Sequence, residues 1–211
     1  TVTPNTGWKQ KDGIEAWDKA LTQTFTGNTK ITAQYTKLDN VIPGDQTKPE
    51  GYVTVTFKPD ENGTLSGTTS YHVNPNVEVN LKDKADAIKK TANTGYTADG
   101  GTWDKALKAT FTQDAEFTFN FAKLGDVIPK DKPEGGENTK PEGYVIVEFI
   151  AGVNGKLVGG NKTYYVNPTK DIKVGDLTIP KPQANNGYEF LRWAESIDEN
   201  EVINGNKKFE A

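Results

Sequence analysis

The chain has 211 residues, with 25 Lys plus Arg against 29 Asp plus Glu and a formal net charge of −4. A single arginine, Arg192, in an acidic chain excludes the Arg- and Lys-rich face that phosphate neutralisation in nucleic-acid binding requires. The absence of Cys removes disulfides, thiolate nucleophiles and thiolate metal sites, and no apolar stretch approaches the roughly 20 residues that cross a bilayer.

In chain order, residues 1–38 read as the back half of a repeat unit. Trp8 follows Gly7, the block Trp17-Asp18-Lys19-Ala20-Leu21 comes next, and a strand pattern runs on to Lys37-Leu38. Residues 39–46 are polar, contain Pro43 and Gly44 and have no hydrophobic period, so they read as a linker. Residues 47–124 form a complete unit. Val53, Val55 and Phe57 alternate with Thr54 and Thr56, as in a half-buried strand. Asp60-Glu61-Asn62-Gly63 reads as a turn, and Leu65 through Val73 as the returning strand. Leu81, Ala85, Ile88 and Ala92 form one stripe of an amphipathic helix of about ten residues. Phe117, Phe119 and Phe121 alternate with Glu116, Thr118 and Asn120, a second strand. Residues 125–138 carry Pro129 and Pro133 and read as a longer linker. Residues 139–211 form a second, nearly complete unit, in which Gly175, Pro180 and Pro182 reduce the expected helix to a short turn.

Self-comparison supports this division. Lys48-Pro49-Glu50-Gly51-Tyr52-Val53 recurs as Lys140-Pro141-Glu142-Gly143-Tyr144-Val145, and Val73-Asn74-Pro75 recurs as Val166-Asn167-Pro168. Trp17 to Leu21 recurs as Trp103-Asp104-Lys105-Ala106-Leu107, and Val41-Ile42-Pro43 as Val127-Ile128-Pro129. A degenerate third copy of the back half contains Asn185-Asn186-Gly187-Tyr188 and ends at Phe209 and Ala211, opposite Ile31 and Ala33. The chain also lacks Met, even at position 1, and is expected to be a monomeric fragment of a longer array. Lack of both Cys and Met fits an extracellular polypeptide that must tolerate oxidants. The order strand, strand, helix, strand, strand points to an α+β, mainly β chain of tandem small β-grasp-like modules, each a mixed sheet with one short helix, in an elongated arrangement.

The chemistry-bearing residues are few. Nucleophilic catalysis needs a nucleophile beside a base, but the only histidine is His72 and the only serines are Ser66, Ser70 and Ser196, without motif context. His72 lies in the returning strand where the next unit has Tyr165, so it reads as a surface strand residue, and no enzyme activity is expected. Asp60 to Gly63 and Asp198-Glu199-Asn200-Glu201 are oxygen-rich but lack the alternating ligand spacing of a calcium loop, so they read as turns and no metal or cofactor is expected. An intramolecular Lys–Asn or Lys–Asp cross-link remains chemically open, although Gln46 and Asn138 stand where a catalytic acid would be needed. Trp8, Trp17, Trp103 and Trp193 read as core anchors, with sugar platforms as the alternative.

The pattern Tyr144-Val145-Ile146-Val147-Glu148-Phe149, Asn154-Gly155, Tyr165-Val166, Leu177-Thr178-Ile179-Pro180, Gly187-Tyr188-Glu189-Phe190, Trp193 and Phe209 to Ala211 resembles the internalin B-repeat (Listeria–Bacteroides) type of β-grasp module. The Pro-Glu-Gly-Tyr-Val opening and the two-unit organisation resemble the streptococcal surface repeat (SSURE) of wall-anchored adhesins. The resemblance implies a Gram-positive cell-wall protein, extracellular and anchored through regions outside this chain, whose partner is a host extracellular-matrix or plasma glycoprotein, fibronectin first. The alternatives are a non-binding stalk that projects another domain, and a carbohydrate- or mucin-binding module. The resemblance identifies no ligand-binding residues, because its motif positions read as core and turns.

Overall fold

The computed structural model describes residues 2–131 and 139–211. Residues 132–138, which include Pro133, Asn138 and half of the expected second linker, lie outside the described residues. In chain order the strands are β1 (Trp8–Gln10), β2 (Tyr35–Lys37), β3 (Val41–Pro43), β4 (Val53–Pro59), β5 (Gly63–Ser66), β6 (Ser70–Val73) and β7 (Val79–Asn80). The helix α1 (Lys82–Asp86) follows, then β8 (Lys89–Ala92), β9 (Tyr96–Trp103), β10 (Lys108–Ala109), β11 (Ala115–Lys123) and β12 (Val127–Pro129). The chain continues with β13 (Val145–Ile150), β14 (Gly155–Leu157), β15 (Lys162–Val166), β16 (Pro182–Ala184) and β17 (Lys207–Glu210). The fold is mainly β. Two compact units divide it: Thr1–Lys90 with Trp103–Asn120, and Thr91–Thr102 with Phe121–Ala211. This division falls inside the expected unit 47–124.

The first unit is built on a mixed sheet in which β3, β6, β4 and β11 follow in that order. β4 runs antiparallel to β6 and parallel to β11, with Phe57 opposite Phe117. Their rings stack at 5.3 Å, and Trp103 and Tyr71 meet Phe57 edge-on at 4.9 and 6.1 Å. Val55, Leu81, Ala85 and Ile88 complete this core. A fully buried Phe or Ile contributes on the order of 1.5–3 kcal/mol, and each aromatic pair about 0.5–1.5 kcal/mol more, so this cluster carries much of a small unit's stability.

In the second unit, β12-β15-β13-β17 repeats the order of β3-β6-β4-β11. β13 is antiparallel to β15 and parallel to β17, with Phe149 opposite Phe209. Phe149 stacks on Phe209 at 5.1 Å and meets Trp193 and Tyr164 edge-on at 5.9 and 6.4 Å. A smaller cluster of Leu124, Ile128, Tyr144 and Tyr165 forms a separate apolar core in this unit.

Four expectations change. The stretch 39–46 contains β3, whose register pairs Val41 with Val73 and Pro43 with Tyr71; the expected linker is therefore partly a sheet edge. Likewise, residues 127–129 in the stretch 125–138 form β12 against Tyr164 to Val166. Three-residue Val-Ile-Pro strands are too short to show a period. The helix has five residues where about ten were expected. Leu81, Ala85 and Ile88 are buried as the stripe requires, but residues 89–92 leave the helix as β8, which pairs with β5. The returning strand is split in two: Gly67 takes a φ of +101°, and β5 and β6 on either side of the break join different sheets. In the second unit the helix position is a single 3-10 turn, Val174–Asp176, as its Gly and Pro content implies.

Candidate binding surface

The repeated motifs prove to be joints. Gly51 and Gly143 of the Pro-Glu-Gly-Tyr motif both take a φ of +78°, which turns the chain so that the next side chain points inward. The Tyr52 hydroxyl then donates to the Asp39 carbonyl at 2.9 Å, and the Tyr144 hydroxyl to the Gly125 carbonyl at 2.9 Å. Burial, with the Asp39 charge added, raises the Tyr52 phenol above its ordinary value. In Val-Asn-Pro, the Asn74 and Asn167 side-chain oxygens accept the backbone N–H two residues on, each at 3.1 Å. Their Nδ2 atoms lie against Gly7 and Gly95, which have φ of +88° and +92°; an added Cβ there would sit 2.6 and 2.8 Å from the amide nitrogen. Each asparagine thus packs closely against the glycine-aromatic loop of the back half that precedes it, which leaves room there for no side chain.

The acidic runs do turn work. Asp60 accepts the Asn62 backbone N–H at 2.9 Å and its side-chain amide at 3.0 Å, and Asp198 accepts the Asn200 N–H at 2.9 Å. Among the described residues no three His, Asp or Glu side chains converge as metal ligands. His72, expected at the surface, is buried, because β6 is flanked on both sides by β3 and β4. Its Nε2 lies 3.2 Å from the Gln46 carbonyl oxygen. Ser70 closes over Gly44, whose added Cβ would meet the hydroxyl oxygen at 2.6 Å. Lys90 donates to the Ala85 and Ile88 carbonyls at 2.9 and 3.1 Å and lies 5.3 Å from the centre of the Phe119 ring. That arrangement closes the end of α1.

The tryptophans divide. Trp103 and Trp193 pack on the cores, Trp17 is half-buried in a bridge to Ala33, and Trp8 is 45% exposed. With Thr3, Asn5 and Tyr35, Trp8 lines a hollow of about 400 Å³. A second groove of about 380 Å³ lies in the second unit between residues 151–156 and 188–192, with Tyr188, Phe190, Leu191 and Arg192 on one wall. Tyr188 and Leu191 are 59% and 82% exposed. The groove borders Glu210 of β17, the last strand of its sheet among the described residues, whose carbonyl accepts the Ala194 N–H at 2.7 Å. Aromatic rings and the one guanidinium thus share one place. Its sequence signal is the dense run Gly187-Tyr188-Glu189-Phe190-Leu191-Arg192-Trp193, which lies outside regular structure and reads in sequence as part of a degenerate repeat and of the internalin-like pattern. No family model, curated protein or solved structure matches the chain.

Proposed function

We propose that this chain is a repeat fragment of a bacterial surface adhesin, carried outside the cell and held to the wall by other regions. It binds a host matrix or plasma glycoprotein, fibronectin first, through multivalent weak contacts. On this reading residues 47–124 and 139–211 are tandem β-grasp-like modules that follow the half module 1–38. The observation that supports it is the repeated frame: the same strand order, stacked Phe pair and Tyr and Asn joints recur in both units. Residues at these positions hold a scaffold, and the aromatic groove beside β17 is left to receive a partner segment. A single contact of this size is weak, but tethered units raise effective concentration and can gain about 10²–10⁴ in avidity.

A carbohydrate- or mucin-binding reading is favoured by one observation, the clustering of Tyr188, Phe190 and Arg192 in that groove. Surface plasmon resonance of the full chain over fibronectin, other matrix proteins and mucin glycans tests all readings. Binding to sparse and dense fibronectin should differ by about tenfold or more in apparent Kd if avidity operates, and Phe190→Ala should weaken it. Glycan binding alone selects the second reading. Silence on every surface selects a non-binding stalk.

A further inference from the structure

The groove beside β17 departs from the repeat in the residues that make it. After the shared Gly-aromatic step the three copies read Lys9-Gln10-Lys11, Thr97-Ala98-Asp99 and Glu189-Phe190-Leu191. The frame therefore does not require an apolar pair there, yet the last copy has one, and Phe190 and Leu191 are 42% and 82% exposed. Phe190 is held in place: it meets Trp193 edge-on at 6.0 Å, and Trp193 in turn meets Phe149 of the core. The opposite wall is fixed by backbone bonds, from Asn185 N to the Asn154 carbonyl at 2.9 Å and from Gly152 N to that of Ala211 at 2.8 Å. Arg192, the one guanidinium of the chain, lines the same groove and is exposed. The carboxylates of the groove are Glu189 and Glu210; Glu210 is drawn to Lys208 at 3.4 Å, and among the described residues neither pairs with Arg192. The five N–H donors of that fork are thus left without an anionic partner in the protein.

We propose that this groove takes a carboxylated sugar, of the sialic acid class that ends glycan chains. The C–H face of a pyranose packs on the rings of Tyr188 and Phe190, and the Arg192 fork takes the carboxylate through paired charge-assisted bonds. Asn154 and Gln183, which also line the groove, supply amides for the hydroxyl and acyl groups of the sugar. A groove of about 380 Å³ is in the range of small-ligand sites. An extended peptide is the poorer occupant. Strand addition needs free backbone, and at Glu210 the β17 carbonyl already accepts the Ala194 N–H at 2.7 Å. The inference rests on the reading of this groove as the binding surface, and it names the chemistry of what the groove binds.

The test titrates the full chain with sialyllactose and with lactose by NMR, with Arg192→Gln and Arg192→Lys beside the parent. Sialyllactose should bind about tenfold or more tightly than lactose. Arg192→Gln should abolish that preference, and Arg192→Lys, which keeps the charge and loses the fork, should restore part of it. Arg192 is exposed, so both variants should melt with the parent. Equal affinity for the two sugars, no binding of sialyllactose, or a preference that survives Arg192→Gln overturns the proposal. So does a sialyllactose site untouched by Phe190→Ala. A glutamate-containing peptide that binds more tightly than sialyllactose assigns the groove to a protein segment and also overturns it. The underlying reading fails separately. If fibronectin or a desialylated glycan binds and Phe190→Ala weakens it while sialyllactose does not bind, the groove remains the binding surface and only the sugar acid is wrong. If no partner's binding depends on Phe190, both fall.

Discussion

Asp114 and Asn206 show how one backbone need is met by two side chains. Asp114 Oδ1 accepts the Thr54 N–H at 2.7 Å, and Asn206 Oδ1 accepts the Ile146 N–H at 2.8 Å, at the same place in the two units. The charged version has a pH signature. The Thr54 N–H, helped by Lys48, holds the Asp114 carboxyl below its ordinary value. A folded value below the unfolded one means that the ionised group stabilises the fold above the ordinary carboxylate range. That contribution disappears as pH falls through the depressed value. Asp114→Asn keeps the acceptor, as Asn206 demonstrates, and removes the charge. The substitution should lower Tm at pH 7 and leave it matched to the parent near pH 2. A Tm difference that is the same at both pH values would show that the charge plays no part.

The helix α1 shows where an apolar stripe is informative and where it misleads. Leu81, Ala85 and Ile88 lie at helical spacing, and all three are buried. Ala92 continues the numerical pattern only by coincidence, since residues 89–92 pair as β8 and Lys90 closes the helix by taking the Ala85 and Ile88 carbonyls. Five residues do not hold a helix by propensity, so the packing of that stripe must hold it. Ile88→Asp would place a carboxylate in the core at a cost of several kcal/mol, a large share of a small unit's stability. Loss of the first unit's melting transition, or a Tm lowered by more than about 10 °C, is expected in calorimetry. An unchanged Tm would mean that α1 is not fastened through this side chain.

At the scale of the whole molecule, the central pairings are distant in sequence. The bonds from Thr54 to Asp114 and from Ile146 to Asn206 each span 60 residues, and the sheets close only when β11 meets β4 and β17 meets β13. Loop closure must precede those contacts, so refolding followed by tryptophan fluorescence should fall in the range of milliseconds to seconds. Recovery of all the signal within microseconds would contradict a fold held by parallel long-range pairs.

The sequence by itself determined the repeat, the alternating strands at Val53 to Phe57 and Phe117 to Phe121, the buried stripe of α1 and the lack of a helix in the last unit. These features are local: side-chain period, Gly and Pro placement and recurrence are written in neighbouring residues. Tertiary structure alone decided that Val41–Pro43 and Val127–Pro129 are strands, because three residues have no period and become strands only when Tyr71 to Val73 and Tyr164 to Val166 offer their backbone. It also decided that His72 is interior, since burial there comes from strands on both sides of β6. The groove beside β17 was illegible for the same reason. Residues 151–156 and 188–192 are brought together by the pairings of β14 with β16 and of β13 with β17, which no spacing along the chain encodes.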